Sequence, residues 1–210
     1  MMYNPWGVSI TEDSDGRSPE QLFEDHHALA NNRMPFCSYE LKAKRLQKYY
    51  KDGDNLIFGI GIEEKHRADR LIAAYQKVAV KTNKWPTIEF PLIANNVSSK
   101  DVSEWLKTTG IKEPELYRLG FEHNNCYGGC VRAGKKHWAH LLSVLPEVYK
   151  DRERVEESFR ERYGKDVHFF KDETLKHYRE RIEAKDDSAL LFTEEDSAPV
   201  ECIGICSLMN

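Results

Sequence analysis

Five cysteines are the residues in this 210-residue chain best suited to do chemistry: Cys37, the pair Cys126-Tyr-Gly-Gly-Cys130, and the pair Cys202-Ile-Gly-Ile-Cys206. Both pairs are spaced Cys-x-x-x-Cys with glycine between. That spacing lets two thiolates turn toward one centre while glycine admits the positive φ such a loop needs. An odd number of cysteines in a reducing compartment argues against a disulfide scaffold and for metal ligation or thiol chemistry. Thiolate count alone does not separate a structural zinc from an iron-sulfur cluster, since zinc also uses four cysteines at similar spacing. The bland alternative is Cys37 as a small buried hydrophobe and the last pair on a frayed tail.

Cationic side chains form the second group: Lys42, Lys44 and Arg45; Lys65, His66, Arg67 and Arg70; Arg132, Lys135, Lys136 and His137. Each borders a loop or a helix end, where side chains and exposed N–H groups can converge on phosphate or sulfate. Arg132 and Lys135 stand closest to the cysteine loop. His123, three residues before Cys126, is placed to orient a bound group by hydrogen bonds. His26-His27 and His137/His140 lack a metal-ligand spacing with acidic partners and read as helix surface.

The elements that must position these residues follow from capping and periodicity. Ser18-Pro19-Glu20 opens a helix with Ser as N-cap, and Ser38 is placed to cap a second over residues 39–50. Residues 55–62 and 87–93 read as short strands, residues 6–10 as a further strand candidate, and residues 63–70 as a charged turn. Ser98 to Asp101 carries a capping box for a helix that stops at Gly110. Residues 123–134 are a Gly/Cys loop. Helices follow over 135–149, 152–163 and 174–185, and 186–199 is an acidic, loosely specified tail. Strands alternating with helices make an α/β architecture, although strands are few.

Charge and composition set bounds. The 31 Lys+Arg against 35 Asp+Glu leave a net −4, so no global cationic field draws nucleic acid or an anionic membrane, and a nucleic-acid role would need a local basic strip. No apolar run reaches the ~18 residues of a membrane span, and residues 1–16 lack a basic-then-apolar leader pattern, which predicts a cytoplasmic protein without a membrane partner.

Taken in order, Pro35-Phe-Cys-Ser-Tyr-Glu-Leu-Lys42, Gly59-Ile-Gly-Ile-Glu-Glu-Lys-His-Arg-Ala68, Phe90-Pro-Leu92, Asp101-Val-Ser-Glu-Trp-Leu106, Leu116-Tyr-Arg-Leu-Gly-Phe121 and His123-Asn-Asn-Cys-Tyr-Gly-Gly-Cys-Val-Arg-Ala-Gly134 form a series. It resembles the phosphoadenosine phosphosulfate (PAPS) reductase family, especially its phage and bacterial iron-sulfur members, over roughly residues 16 to 160. The resemblance implies a partial adenine nucleotide α-hydrolase-like (PP-loop) fold: a parallel sheet with flanking helices that binds an adenylyl nucleotide at its C-terminal strand ends, with a helical C-terminal part. The expected division is an α/β domain over 1–165 and a helix and acidic tail over 166–210.

It further implies a [4Fe-4S] cluster, with zinc as the alternative, held by Cys37, Cys126, Cys130 and a tail cysteine, Cys206. Cys202, preceded by Glu201, takes the part of the thiol nucleophile, and Lys42, Arg67, Arg132 and Lys135 that of phosphate or sulfate ligands. Two departures stand out. The family has two residues between its paired cysteines where this sequence has three, and the family's opening Ser-Gly-Gly-x-Asp-Ser phosphate loop is not found here. The expectation is therefore half of a split enzyme, an oxidoreductase or sulfurtransferase whose phosphate loop comes from another polypeptide, with a homo-oligomer as the alternative assembly. The competing expectation is an inert metal- or partner-binding module derived from the same fold.

Overall fold

The structure, a computed structural model, describes residues 11–31 and 34–197 together with Gly7 and Ser9. The strand candidate at 6–10 falls mostly outside the described residues, as do Cys202 and Cys206. Helix α1 (Pro19–His26) begins as its sequence dictates: the Ser18 hydroxyl accepts from Gln21 N–H while the Gln21 side chain accepts from Ser18 N–H. The next helical stretch starts earlier than a Ser38 cap would require. Helix α2 (Phe36–Ser38) runs into a π-helical turn (Tyr39–Ala43) and then α3 (Lys44–Leu46), and Ser38 is buried inside it without capping. Cys37 is thereby carried on the first turn, with Lys42 in the widened turn behind it.

The strands are β1 (Asn55–Ile57) and β2 (Thr87–Glu89), paired parallel with Leu56 opposite Ile88. They are joined by α4 (Lys65–Thr82). The charged segment expected as a turn at 63–70 is the start of this helix: a 3-10 turn (Ile62–Glu64) leads in, and charge at 65–67 and 69–70 flanks an apolar stripe that begins at Ala68. Ala68, Leu71, Ala74, Tyr75, Val78 and Ala79 are buried at helical spacing, and its alanines allow close approach. Tyr50, Ile60, Leu71, Ala74 and Tyr75 form one apolar cluster, with Leu56, Phe58, Ile88 and Phe90 from the sheet side packed on it. The molecule is thus α/β, with helix far exceeding sheet.

After β2, Pro91 starts α5 (Pro91–Ala94) instead of prolonging the strand, as a residue lacking N–H and fixed in φ favours. Helix α6 (Ser99–Thr109) carries the expected capping box between Ser98 and Asp101 and ends at Gly110 in the left-handed region. Helix α7 (Glu115–Arg118) leads to the cysteine loop.

Helices α8 (Lys135–Val144) and α9 (Pro146–Tyr163) replace the single helix expected over 135–149. Leu145 precedes proline and is held out of helical geometry at φ −132°, which breaks the run and gives α9 its Pro first turn. Helix α10 (Leu175–Glu183), capped by Thr174, and α11 (Glu194–Ser197) complete the described chain.

The main core lies here and extends across residue 165. Trp138, fully buried, stacks parallel on Phe169 at 6.1 Å and meets Tyr149 and Phe170 edge-on. Tyr149 Oη donates to Leu175 O at 2.8 Å, and the fully buried Glu156 accepts from Phe169 N–H and Leu175 N–H, both at 2.7 Å. The acidic tail is less loose than its composition suggests. Ala189 is buried, Tyr178 Oη donates to Ala189 O, and Asp196 backbone lies so close to Gly134 that a Cβ there would stand 2.2 Å from its carbonyl oxygen.

Candidate functional site

Cys37, from the start of α2, and Cys126 and Cys130, from the loop between α7 and α8, line one small cavity of about 20 Å³. Arg132 and Arg152 share its wall. Two segments nearly ninety residues apart in sequence therefore converge on a space the size of a single water or ion. None of the three cysteines is in a disulfide.

Local conformation explains how the loop achieves this. A 3-10 turn (Asn125–Gly128) carries Cys126 at φ 50° and Tyr127 at φ 50°, followed by Gly128 at φ +84°. Three successive left-handed residues curl the backbone tightly and turn its N–H groups toward one side. Gly128 is required on two counts, since its φ suits glycine and a Cβ would lie 2.8 Å from Leu141 Cδ1. Gly129 has an ordinary φ of −86° and is required for space alone: a Cβ would stand 2.6 Å from Arg152 Nε.

The site is electrostatically set for a thiolate. A hydrogen bond from Cys130 pulls the Cys126 thiol down to about 7; desolvation opposes this, and the Lys42 ammonium lowers it further. Cys126 is also exposed at the surface while Cys130 is buried. Beside them, His123 is buried and stacks nearly parallel on His137 with ring centroids 4.6 Å apart. Burial, then His137, then Lys42 push His123 down to about 4, so it is neutral. Asn125 N–H donates to His123 Nδ1 at 3.3 Å, which leaves the ring proton on Nε2, a buried atom with no hydrogen-bond partner among the described residues.

Not every residue singled out from sequence gathers here. Lys42 and Arg132 do. Lys135 instead pairs with Asp172 at 2.8 Å and Glu173 at 2.7 Å beneath the rings of Phe170 and Tyr178, beside a separate cavity of about 300 Å³. Arg67 pairs with Glu64 at the start of α4 and does not line the cysteine cavity. His137 and His140, expected on a helix surface, are half-buried and bind the loop region in place, through Gly128 O at 2.7 Å and Leu119 O at 2.8 Å. Arg152 is the residue that sequence reading missed. It sits in a helix charged along its whole length, and nothing in local spacing sets it apart.

Three thiols make a soft donor set suited to zinc or an iron-sulfur cluster. Among the described residues, no three His, Cys, Asp or Glu side chains already stand as a metal-ligand group. Cys37, Cys126 and Cys130 share a cavity wall. No helix among the described residues is long and apolar enough to cross a membrane. No family model, curated protein or solved structure matches the chain.

Proposed function

We propose that this chain is a sulfur-chemistry protein of the PAPS reductase type, in which Cys37, Cys126 and Cys130 hold a [4Fe-4S] cluster. The observation that supports it is the convergence of three thiols from two distant segments on one cavity beside Lys42 and Arg132. Such a cluster, when bound, supplies electron transfer or charge stabilisation at sulfur. The protein's own part is to favour the Cys126 thiolate, with Lys42 beside it, and to hold buried Cys130 away from water. Zinc is the second reading, favoured by a cavity sized for one ion.

Cys206 or Cys202 would complete the ligand set, and Cys202 is the nucleophile if it remains free. Ser197, in α11, is five residues before Cys202, a reach of about 17 Å for extended chain, and α11 packs on α8, which follows the cysteine loop. On this reading, β1, α4 and β2 belong to a PP-loop sheet, and the substrate is an adenylyl nucleotide whose phosphate or sulfate meets Lys42 and Arg132. A separate polypeptide supplies the phosphate loop. Arg67 and Lys135, held by their carboxylate partners, are left out of that role.

The deciding experiment is anaerobic purification followed by a visible spectrum and iron, sulfide and zinc analysis. A brown protein bleached by Cys37→Ala, Cys126→Ala and Cys130→Ala is expected, with Cys202→Ala and Cys206→Ala identifying the fourth ligand. A colourless protein holding one zinc would overturn the cluster, and a metal-free protein would overturn the centre altogether.

A further inference from the structure

The cysteine cavity contains one strong donor that its surroundings leave unused. Arg152 reaches it from α9, passing over Gly129 within the Cys126–Cys130 loop, where a single added methyl would collide with Nε, Cγ and Cδ. Its Nη1 binds Glu20 of α1, yet its Nε is buried without a hydrogen-bond partner. Burial also pulls the guanidinium below its usual range, a sign of charge desolvated beyond what its surroundings offset. A buried N–H of a cation without an acceptor is costly, and natural structures rarely leave one so. Glu20 accounts for one end of the fork and not for the other. What the cavity offers the other end is sulfur, and a metal held by three or four thiolates bears net negative charge.

We propose that Arg152 is a positioning residue of the cysteine site, its Nε–H donating to a sulfur of an anionic metal-thiolate centre. This rests on the reading that Cys37, Cys126 and Cys130 bind a metal, and holds for zinc and for a cluster alike. Hydrogen bonds to ligating sulfur orient the ligand and tune the centre, so their loss weakens metal affinity and shifts sulfur-to-metal transitions. The glycine at 129 is the spacer that admits the guanidinium.

The test is anaerobic titration of cobalt(II) into the reduced, metal-free full chain, read by thiolate-to-cobalt charge-transfer absorption. Arg152→Gln is expected to bind cobalt about 10- to 100-fold more weakly, with a displaced charge-transfer band. Glu20→Gln, which keeps Arg152, should stay near wild type. Arg152→Lys retains the charge but lacks Nε, and should fall between wild type and Arg152→Gln; it decides the matter if the glutamine variant does not fold. Wild-type affinity and band position in whichever of these two variants folds would overturn the proposal, as would a loss in Glu20→Gln equal to that in Arg152→Gln. If the wild-type chain binds no cobalt, the metal reading and this proposal fall together. If it binds and the Arg152 variants match it, only the proposal falls.

Discussion

Replacing Gly129 by alanine tests directly whether the Arg152 side chain occupies the space over the cysteine loop. The backbone at 129 is ordinary, φ −86°, so alanine meets no conformational penalty and gains about 0.4–1 kcal/mol from a less flexible unfolded chain. Against this, the new Cβ would lie 2.6 Å from Arg152 Nε, 2.9 Å from Cγ and 3.1 Å from Cδ. Those atoms are mid-chain and anchored by the Glu20 pair, so they cannot swing aside freely. Overpacking of this kind costs about 1–3 kcal/mol. The expected net effect is a loss of about 1–2 kcal/mol, measured by urea unfolding of reduced, metal-free protein. In an Arg152→Ala background the collision vanishes, and Gly129→Ala should become neutral or stabilising by about 0.4–1 kcal/mol. The double-mutant cycle therefore carries a coupling of about 1–3 kcal/mol. Equal costs of Gly129→Ala in both backgrounds would refute the placement of Arg152.

Other outcomes follow from the same structure. Trp138→Ala empties the centre of the main core and should cost about 3–5 kcal/mol; a single urea transition monitored by both far-ultraviolet dichroism and tyrosine fluorescence would show that residues on both sides of 165 unfold together. Burial raises the Glu156 carboxyl to about 7 from its usual 4.5, against the two N–H donors that lower it. The folded state then binds more protons than the unfolded one between pH 4.5 and 7. Its contribution, about 3 kcal/mol, is full below pH 4.5 and lost as pH rises through 7; Glu156→Gln should flatten that slope, and a slope of opposite sign in wild type would contradict the assignment. In metal-free protein, iodoacetamide should modify exposed Cys126 before buried Cys130, with a rate that rises through pH 7, read by peptide mass spectrometry.

Much of the local structure was legible because it is written in neighbouring residues. Ser18 with Pro19, Ser98 with Asp101, and Gly110 announce their helix ends through a cap, a proline first turn and a left-handed turn that need no tertiary context. Other features depend on packing. The first turn of α4 has charges at 65–67 and 69–70, which mask the stripe starting at Ala68 until the sheet is there to cover it. Ser38 is a good cap by type, yet Cys37 and its neighbours are drawn into the helix, and the serine is buried. The break at Leu145 was readable from Pro146, but the helical spacing of Trp138, Leu141, Leu142 and Leu145 suggested continuity.

At the site, the Cys-x-x-x-Cys spacing marked one segment and the order of motifs tied Cys37 to it. Lys135 and Arg67 could not be told from Arg132 by sequence, because what separates them is where each side chain stands: Lys135 beside Asp172 and Glu173, Arg67 beside Glu64, and Arg132 in the wall of the cysteine cavity. Arg152 had no local signature, since its significance comes from the glycine it crosses in another segment.

The succession of left-handed residues at Cys126, Tyr127 and Gly128 bears on where this molecule yields first. Two of the three are not glycine, and each such residue holds about 1–2 kcal/mol of backbone energy that the loop must overcome from elsewhere. If a metal engages the Cys126 sulfur, as proposed, it ties down the very turn that carries this backbone cost, and amide exchange from Asn125 to Gly128 is expected to slow on metal addition more than in the helices around it.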